Sequence, residues 1–277
     1  MSTQQNAIVS VEWLEENLGS VVVLDASFYL PTMNKNADEE FVKAHIPSAQ
    51  RWDIDKIARY SASGLPHMMP PAMQLVHEAQ KRGINQNTHV VVYDQLGVFS
   101  SPRMWFTLKT IGHEKVSVLN GGLPAWIKAG YETHSGDATE AKPKSYILDA
   151  KPGRLATCNL KTMICSLERE DTLIMDARPA ARFDGKAAEP RAGLKSGHMP
   201  HSKSLPFSEF VVDGHLIEPA AIQAVFDQRE FNLDGQLITT CGSGVSAAVI
   251  NLALYQLGKT ALLYDGSWAE WGDPAHD

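Results

Sequence analysis

The chain repeats its own order of strand and loop signals, and this duplication limits its folds more than any single motif does. "VVVLDAS" near residue 25 is answered by "TLIMDAR" near residue 176, each an apolar run ending in aspartate. "AHIPSAQRWD" at 44–53 is answered by "GHMPHSKSLPF" at 197–207, and "THVVVYD" at 88–94 by "QLITTC" at 236–241. Last, "VSVLNGGLPAW" at 116–126 is answered by "ALLYDGSWAEW" at 261–271. Four blocks in one order, offset by about 145 to 153 residues, imply a duplicated domain. A chain of 277 residues is long enough to hold two domains of ordinary size.

Within each copy, β-branched runs alternate with helical patterns. "VVVL", "VVVY" and "VSVL" are continuous apolar strands of the kind a parallel sheet covers on both faces. "AMQLVHEAQKRG" and "SPRMWFTLKTIG" lie between them, the second with Ser101 as its expected N-cap, Pro102 at the first helical position and Gly112 past its end. "EPAAIQAVFDQRE" and "SAAVINLALYQLG" fill the same slots in copy two. The expected fold class is α/β: two tandem domains, each an open, mostly parallel β-sheet flanked by helices. The polar stretch after residue 133 sets the expected boundaries: a first domain over 1–135, a linker over 136–155 and a second domain over 156–277.

Composition removes several function classes. The net charge of −7 and the absence of a basic block argue against nucleic-acid binding. No apolar run approaches the roughly 18 residues of a membrane span. The first residues, "MSTQQNAIVSVEWLEENLG", lack the basic and apolar regions of a signal peptide. The three cysteines, Cys158, Cys165 and Cys241, form no CxxC and no metal-ligand spacing. No metal site or disulfide framework is expected, and the cytoplasm is the expected compartment.

The repeat also exposes one chemical asymmetry. Copy two ends its strand in Cys241 where copy one has Asp94. One active site per chain is therefore expected, at the carboxyl ends of copy two's strands. Cys158 and Cys165 read as packed thiols, Cys165 among the apolar positions of an amphipathic helix. Cys241 can be read the same way, or as a nucleophile. Gly242 and Gly244 favour the second reading, because they let successive N–H groups point at one atom. A helix starting near Ser246 would add its positive end. A thiol of pKa ~8.5 is only about 3% thiolate at pH 7. Charge-assisted hydrogen bonds of ~1.5–3 kcal/mol each would supply most of the activation, and the helix dipole, at ~0.3–1 kcal/mol, the remainder.

"CGSGVSA" at 241 resembles the active-site loop of the two-domain rhodanese-type sulfurtransferases, and among them those acting on 3-mercaptopyruvate. Further matches are "HIP" at 45, "DID" at 53, "LPHMMP" at 65, "SSPR" at 100, "DARPAARF" at 176, "EPRAG" at 189, "GHMP" at 197 and "YDGSWAEW" at 264. The resemblance implies two rhodanese-like domains with only the second catalytic. It implies that Arg182 and Arg191 bind the substrate's carboxylate and ketone oxygen, a task suited to arginine's planar fork. It also implies a proton relay of Ser243, His67 and Asp55, which would draw on both copies. Arg178, in the same segment, reads as structural.

In the scheme so implied, Cys241 takes the donor's sulfur, pyruvate leaves, and the N–H groups of Gly242, Ser243, Gly244, Val245 and Ser246 cradle a persulfide. A thiol acceptor such as thioredoxin, a small thiol or cyanide then removes the outer sulfur. No metal or organic cofactor is called for. Two alternatives stand beside it: a thiosulfate sulfurtransferase and a non-enzymatic persulfide carrier. Thiosulfate is a dianion, and the residues after the cysteine, Gly242 and Ser243, are uncharged. A rhodanese-fold phosphatase is excluded, because Ala247 stands where its phosphate-gripping arginine would be.

Three positions depart from the family. Ser246 stands where threonine is usual, keeping the hydroxyl and losing a methyl, so the loop is expected to survive. Ser48 and His201 stand where glycine is usual, so each must either adopt positive φ or rearrange its turn. His45 and His198 read as braces at strand ends.

Overall fold

In a computed structural model, residues 6–58, 64–138, 140–148 and 153–276 are described. The chain divides into two compact units. One comprises Met1–Ile57, Pro70–Arg154 and Asp213–Leu216; the other, Ala58–Met69, Leu155–Val212 and Ile217–Asp277. The described part of the segment expected as a linker includes residues that bond within the first unit: Gly136 N donates to Val42 O at 2.8 Å and Lys144 N to Gln80 O at 3.1 Å. Residues 139 and 149–152 of that segment lie outside the described residues.

The first unit holds a five-stranded sheet ordered Ile8–Val9, Val116–Leu119, His89–Tyr93, Val21–Asp25 and Gln50–Arg51. Every pairing is parallel. The second unit repeats this order with Thr157–Cys158, Leu262–Tyr264, Gln236–Thr240, Thr172–Asp176 and Lys203–Ser204, again all parallel. Numbered along its own unit, each sheet runs 1-5-4-2-3, so the duplication legible in the sequence is a duplication of topology. The central strands are apolar on both faces because both faces are covered: Val90, Val91, Val92 and Tyr93 are all fully buried.

Local signals fix several helix starts. Ser10 Oγ accepts from Trp13 N ahead of Val11–Asn17, and Asn159 Oδ1 from Thr162 N ahead of Leu160–Leu167. The helix after each central strand is the most deeply packed. In Ser101–Thr110 only Thr110 escapes burial, and in Ala247–Gln256 only Gln256. Ala247–Gln256 is apolar nearly all round, as a helix inside a core is, and it makes a stiff base for the loop that precedes it. The first of these begins one residue earlier than expected. Ser100 is the N-cap and makes no side-chain cap bond, because its hydroxyl accepts from Phe28 N at 3.2 Å.

Both departures at glycine positions resolve the same way. Ser48 has φ +62° and His201 φ +60°, so the turns keep left-handed backbone. The two histidine braces are also duplicated. His45 Nδ1 lies 2.9 Å from Phe41 O with its ring stacked on Phe41, and His198 Nδ1 lies 2.9 Å from Phe183 O with its ring stacked on Phe183. One expectation is corrected. Cys165 is exposed rather than packed, since Leu160–Leu167 turns Met163 and Ser166 inward. Ser166 can be buried because its hydroxyl donates to Thr162 O at 2.8 Å. Cys158 is buried, and burial pushes its thiol up to about 12.

Candidate active site

The strand Gln236–Thr240 delivers Cys241 to the carboxyl edge of the second sheet, and the helix Ala247–Gln256 begins six residues later. Cys241 is only 2% exposed. The carbonyls of Cys241 and Gly242 accept from Trp268 N and Ala269 N, each at 2.9 Å. Peptides are planar and trans, so holding those two carbonyls back turns the N–H groups of Gly242 and Ser243 the other way. Gly244, at φ +78°, brings its own N–H to Cys241 Sγ at 3.1 Å. The loop thus presents donors to the sulfur, as an anion cup requires.

The two glycines have different tasks. Gly244 needs its left-handed backbone. Gly242 does not; it is small because a Cβ there would lie 3.1 Å from Arg182 Nη2. Arg182, on the short helix Ala180–Phe183, therefore borders the cysteine loop. Its guanidinium is held by Glu189, through Nε to Oε1 at 3.3 Å and through Nη2 to Oε2. Glu189 also accepts from Arg178 Nη1 at 2.8 Å. Arg178 is fully buried and paired with Asp176 through Nε and Nη2, and its guanidinium lies 4.2 Å from the centre of the Trp268 ring. Four charges so form one chain, Asp176–Arg178–Glu189–Arg182. Arg191 lies half-buried in the bend after Glu189.

His67 belongs to the second unit through the segment Ala58–Met69. Its Nδ1 lies 2.8 Å from Ser243 Oγ, and both residues are buried. His67 takes φ +58°, a conformation costing about 1 kcal/mol in a non-glycine residue. Two residues on, Met69 N donates to Asp265 Oδ2 at 2.7 Å and fastens the end of that segment. Asp55 lies exposed in the first turn of Ile54–Ala58, in the first unit. Of the expected site residues, the second unit brings together Cys241, Ser243, His67 and Arg182 around the loop 242–246.

The first unit shows what its version of the loop holds. Asp94 is fully buried, and its Oδ2 accepts from the N–H groups of Phe99, Ser100 and Ser101 at 3.0, 2.9 and 2.8 Å. Ser101 Oγ donates to the same oxygen at 2.7 Å, and Leu96 N to Oδ1 at 3.0 Å. Burial raises the Asp94 carboxyl above its ordinary value, and these bonds oppose the rise. The cup in this copy is filled by the side chain of its own strand's end.

Three residues of the site escaped sequence reasoning. Ser267, at φ +50° and fully buried, accepts from Cys241 N at 3.3 Å and donates to Tyr264 O at 2.8 Å. Its counterpart in copy one is Gly122, also at positive φ, so a non-glycine in that slot was a readable signal. Glu189 and Asp265 carried no local signal, since their roles depend on partners distant in sequence.

The model of the rhodanese-like domain matches the chain twice, over residues 10–129 and 161–273. A thiosulfate/3-mercaptopyruvate sulfurtransferase of Arabidopsis thaliana is 40% identical over 95% of this chain and 75% of its own length. The 3-mercaptopyruvate sulfurtransferase of Escherichia coli K12 is 36% identical over 95% of this chain and 94% of its own. The crystal structure of the 3-mercaptopyruvate sulfotransferase SseA from Escherichia coli matches with a TM-score of 0.84 at 34% identity, over 95% of this chain and 99% of that one.

Proposed function

The chain belongs to the rhodanese family, and from that premise we propose that it is a 3-mercaptopyruvate sulfurtransferase acting through a Cys241 persulfide. The observation that carries this reading is Cys241 Sγ beneath the Gly244 N–H in a loop bordered by Arg182. The N–H donors favour a thiolate and then a persulfide at that sulfur. Arg182 and Arg191 would hold the donor's carboxylate and ketone oxygen. The thiolate attacks the donor's sulfur, the carbon–sulfur bond breaks, and its electron pair leaves with the carbon as pyruvate enolate. That carbon must then gain a proton. The 2.8 Å contact between His67 Nδ1 and Ser243 Oγ supports a relay through those two groups. An acceptor thiol such as thioredoxin, a small thiol or cyanide takes the outer sulfur and restores Cys241. Three free cysteines suit a reducing compartment, which we take to be the cytoplasm.

Thiosulfate is the second donor to consider, because the Arabidopsis relative's name carries both donors. The uncharged Gly242 and Ser243 speak against it as the preferred one. Steady-state kinetics with each donor decide the matter. Wild type is expected to favour 3-mercaptopyruvate in kcat/KM, Arg182→Ala and Arg191→Ala each to lose about tenfold or more, and Cys241→Ser to lose turnover altogether. Preference for thiosulfate would overturn the donor assignment, and turnover by Cys241→Ser would overturn the covalent scheme.

A further inference from the structure

The arginine beside the cysteine loop arrives with its charge already balanced. Asp176 and Arg178 satisfy each other: Arg178 Nε lies 3.1 and 3.0 Å from the two carboxylate oxygens, and Nη2 lies 2.7 Å from Oδ2. Both side chains are fully buried, and Arg178 Nη2 also donates to Gly197 O at 2.8 Å. Glu189, whose side chain is 2% exposed, is the next member of the chain. Since Asp176 already compensates Arg178, the charge of Glu189 is left to compensate Arg182, whose side chain is 17% exposed. Two carboxylates and two guanidiniums sum to zero, with the outermost guanidinium next to Gly242.

We propose that Glu189 is a specificity-determining residue: it holds Arg182 against the loop and cancels its charge, so that the site selects singly over doubly charged sulfur donors. This deepens the reading above and rests on Arg182 facing the donor. The physical reason is Coulombic. A compensated arginine still offers its remaining N–H groups to one carboxylate, which is a geometric task. It offers little net field to a second negative charge. In a water-poor site, one uncompensated charge a few ångströms away changes the binding of an extra charge by an order of magnitude or more.

Glu189→Gln removes the charge while keeping the size and one acceptor oxygen. The measured quantity is the ratio of kcat/KM for thiosulfate to kcat/KM for 3-mercaptopyruvate. The proposal expects that ratio to rise about tenfold. A merely structural Glu189 would lower both activities together and leave the ratio alone, and a ratio within about threefold of wild type overturns the proposal. Glu189→Asp keeps the charge and shortens the side chain, so it should keep the wild-type ratio whatever its absolute rate; a tenfold rise there would also overturn it. Should Glu189→Gln fail to fold, competition on the wild-type enzyme by pyruvate and by sulfate serves instead. Pyruvate is expected to inhibit at the lower concentration, and sulfate doing so would overturn the idea. Arg182→Ala separates the two readings: unchanged activity there would remove Arg182 from the donor site and sink the placement itself, whatever the Glu189 ratio shows.

Discussion

Ser48 and His201 hold left-handed backbone without being glycine, at φ +62° and +60°. Each pays for its turn with the clash between Cβ and the backbone, roughly 1 kcal/mol. Ser48→Gly and His201→Gly should each raise stability by at most about 0.5 kcal/mol, most of the relief being offset by the freer unfolded chain. Thermal unfolding of each variant reads this directly, and a lowered Tm would mean that the side chain contributes more than its strain. His67, at φ +58°, is a different case, because its ring meets Ser243. Strain held at a site by its surroundings points to function there. At this scale the sequence singled out Cys241 by its contrast with Asp94, and Arg182 and Arg191 through the motifs that carry the family resemblance. It did not show Glu189, an acid placed by Arg178 and Arg182 rather than by its neighbours in the chain. It also misjudged Cys165, because a buried Ser166 that bonds its own helix looks polar in sequence yet packs inward.

The element on which the proposed chemistry rests is the loop between the strand Gln236–Thr240 and the helix Ala247–Gln256. Its carbonyls are tied to Trp268 N and Ala269 N, its amide at Cys241 to Ser267, and one face meets Arg182. Adding one methyl group at Gly242 tests how closely that fit matters. Gly242→Ala keeps an allowed backbone but must push Arg182 Nη2 outward by a few tenths of an ångström. The expected result is an unchanged melting temperature with kcat/KM for 3-mercaptopyruvate lowered about tenfold, because misplacing a positioning group costs rate without costing the fold. Full activity in that variant would show that Arg182 has room to move. The strand–loop–helix order was legible from glycine and apolar patterning. The tying of its carbonyls was not, since the residues that do it lie more than twenty positions further along the chain.

For the molecule as a whole, acid stability depends on groups such as His113, in the first unit. His113 is 1% exposed, its Nδ1 is 3.2 Å from Tyr146 OH, and burial lowers its pKa to about 4. An unfolded histidine titrates near 6.5, so the folded state resists the proton between those values. The stability this provides is complete above about pH 6.5 and is lost as the pH falls toward 4, about 3 kcal/mol in all. Denaturant unfolding at pH 7 and pH 4 should therefore show His113→Gln losing less stability than wild type over that interval. Equal losses would mean that other groups govern the acid limb. The twofold architecture was legible because both copies keep the same strand order, and the assignment of Ala58–Met69 to the second unit was not, because nothing in its composition marks where it packs.

Asp94 fills the cup of the first copy, whereas the proposed scheme needs the one around Cys241 to stay open to a reactant. The first copy is thus a lock with its key cast in place, ordered whether or not any reactant is present. Selection can act on it for firmness alone. Substitutions scanned along residues 95–101 should be sorted by how much folded protein survives, and those along 242–246 by turnover. Two loops of common descent would answer to different judges within one chain.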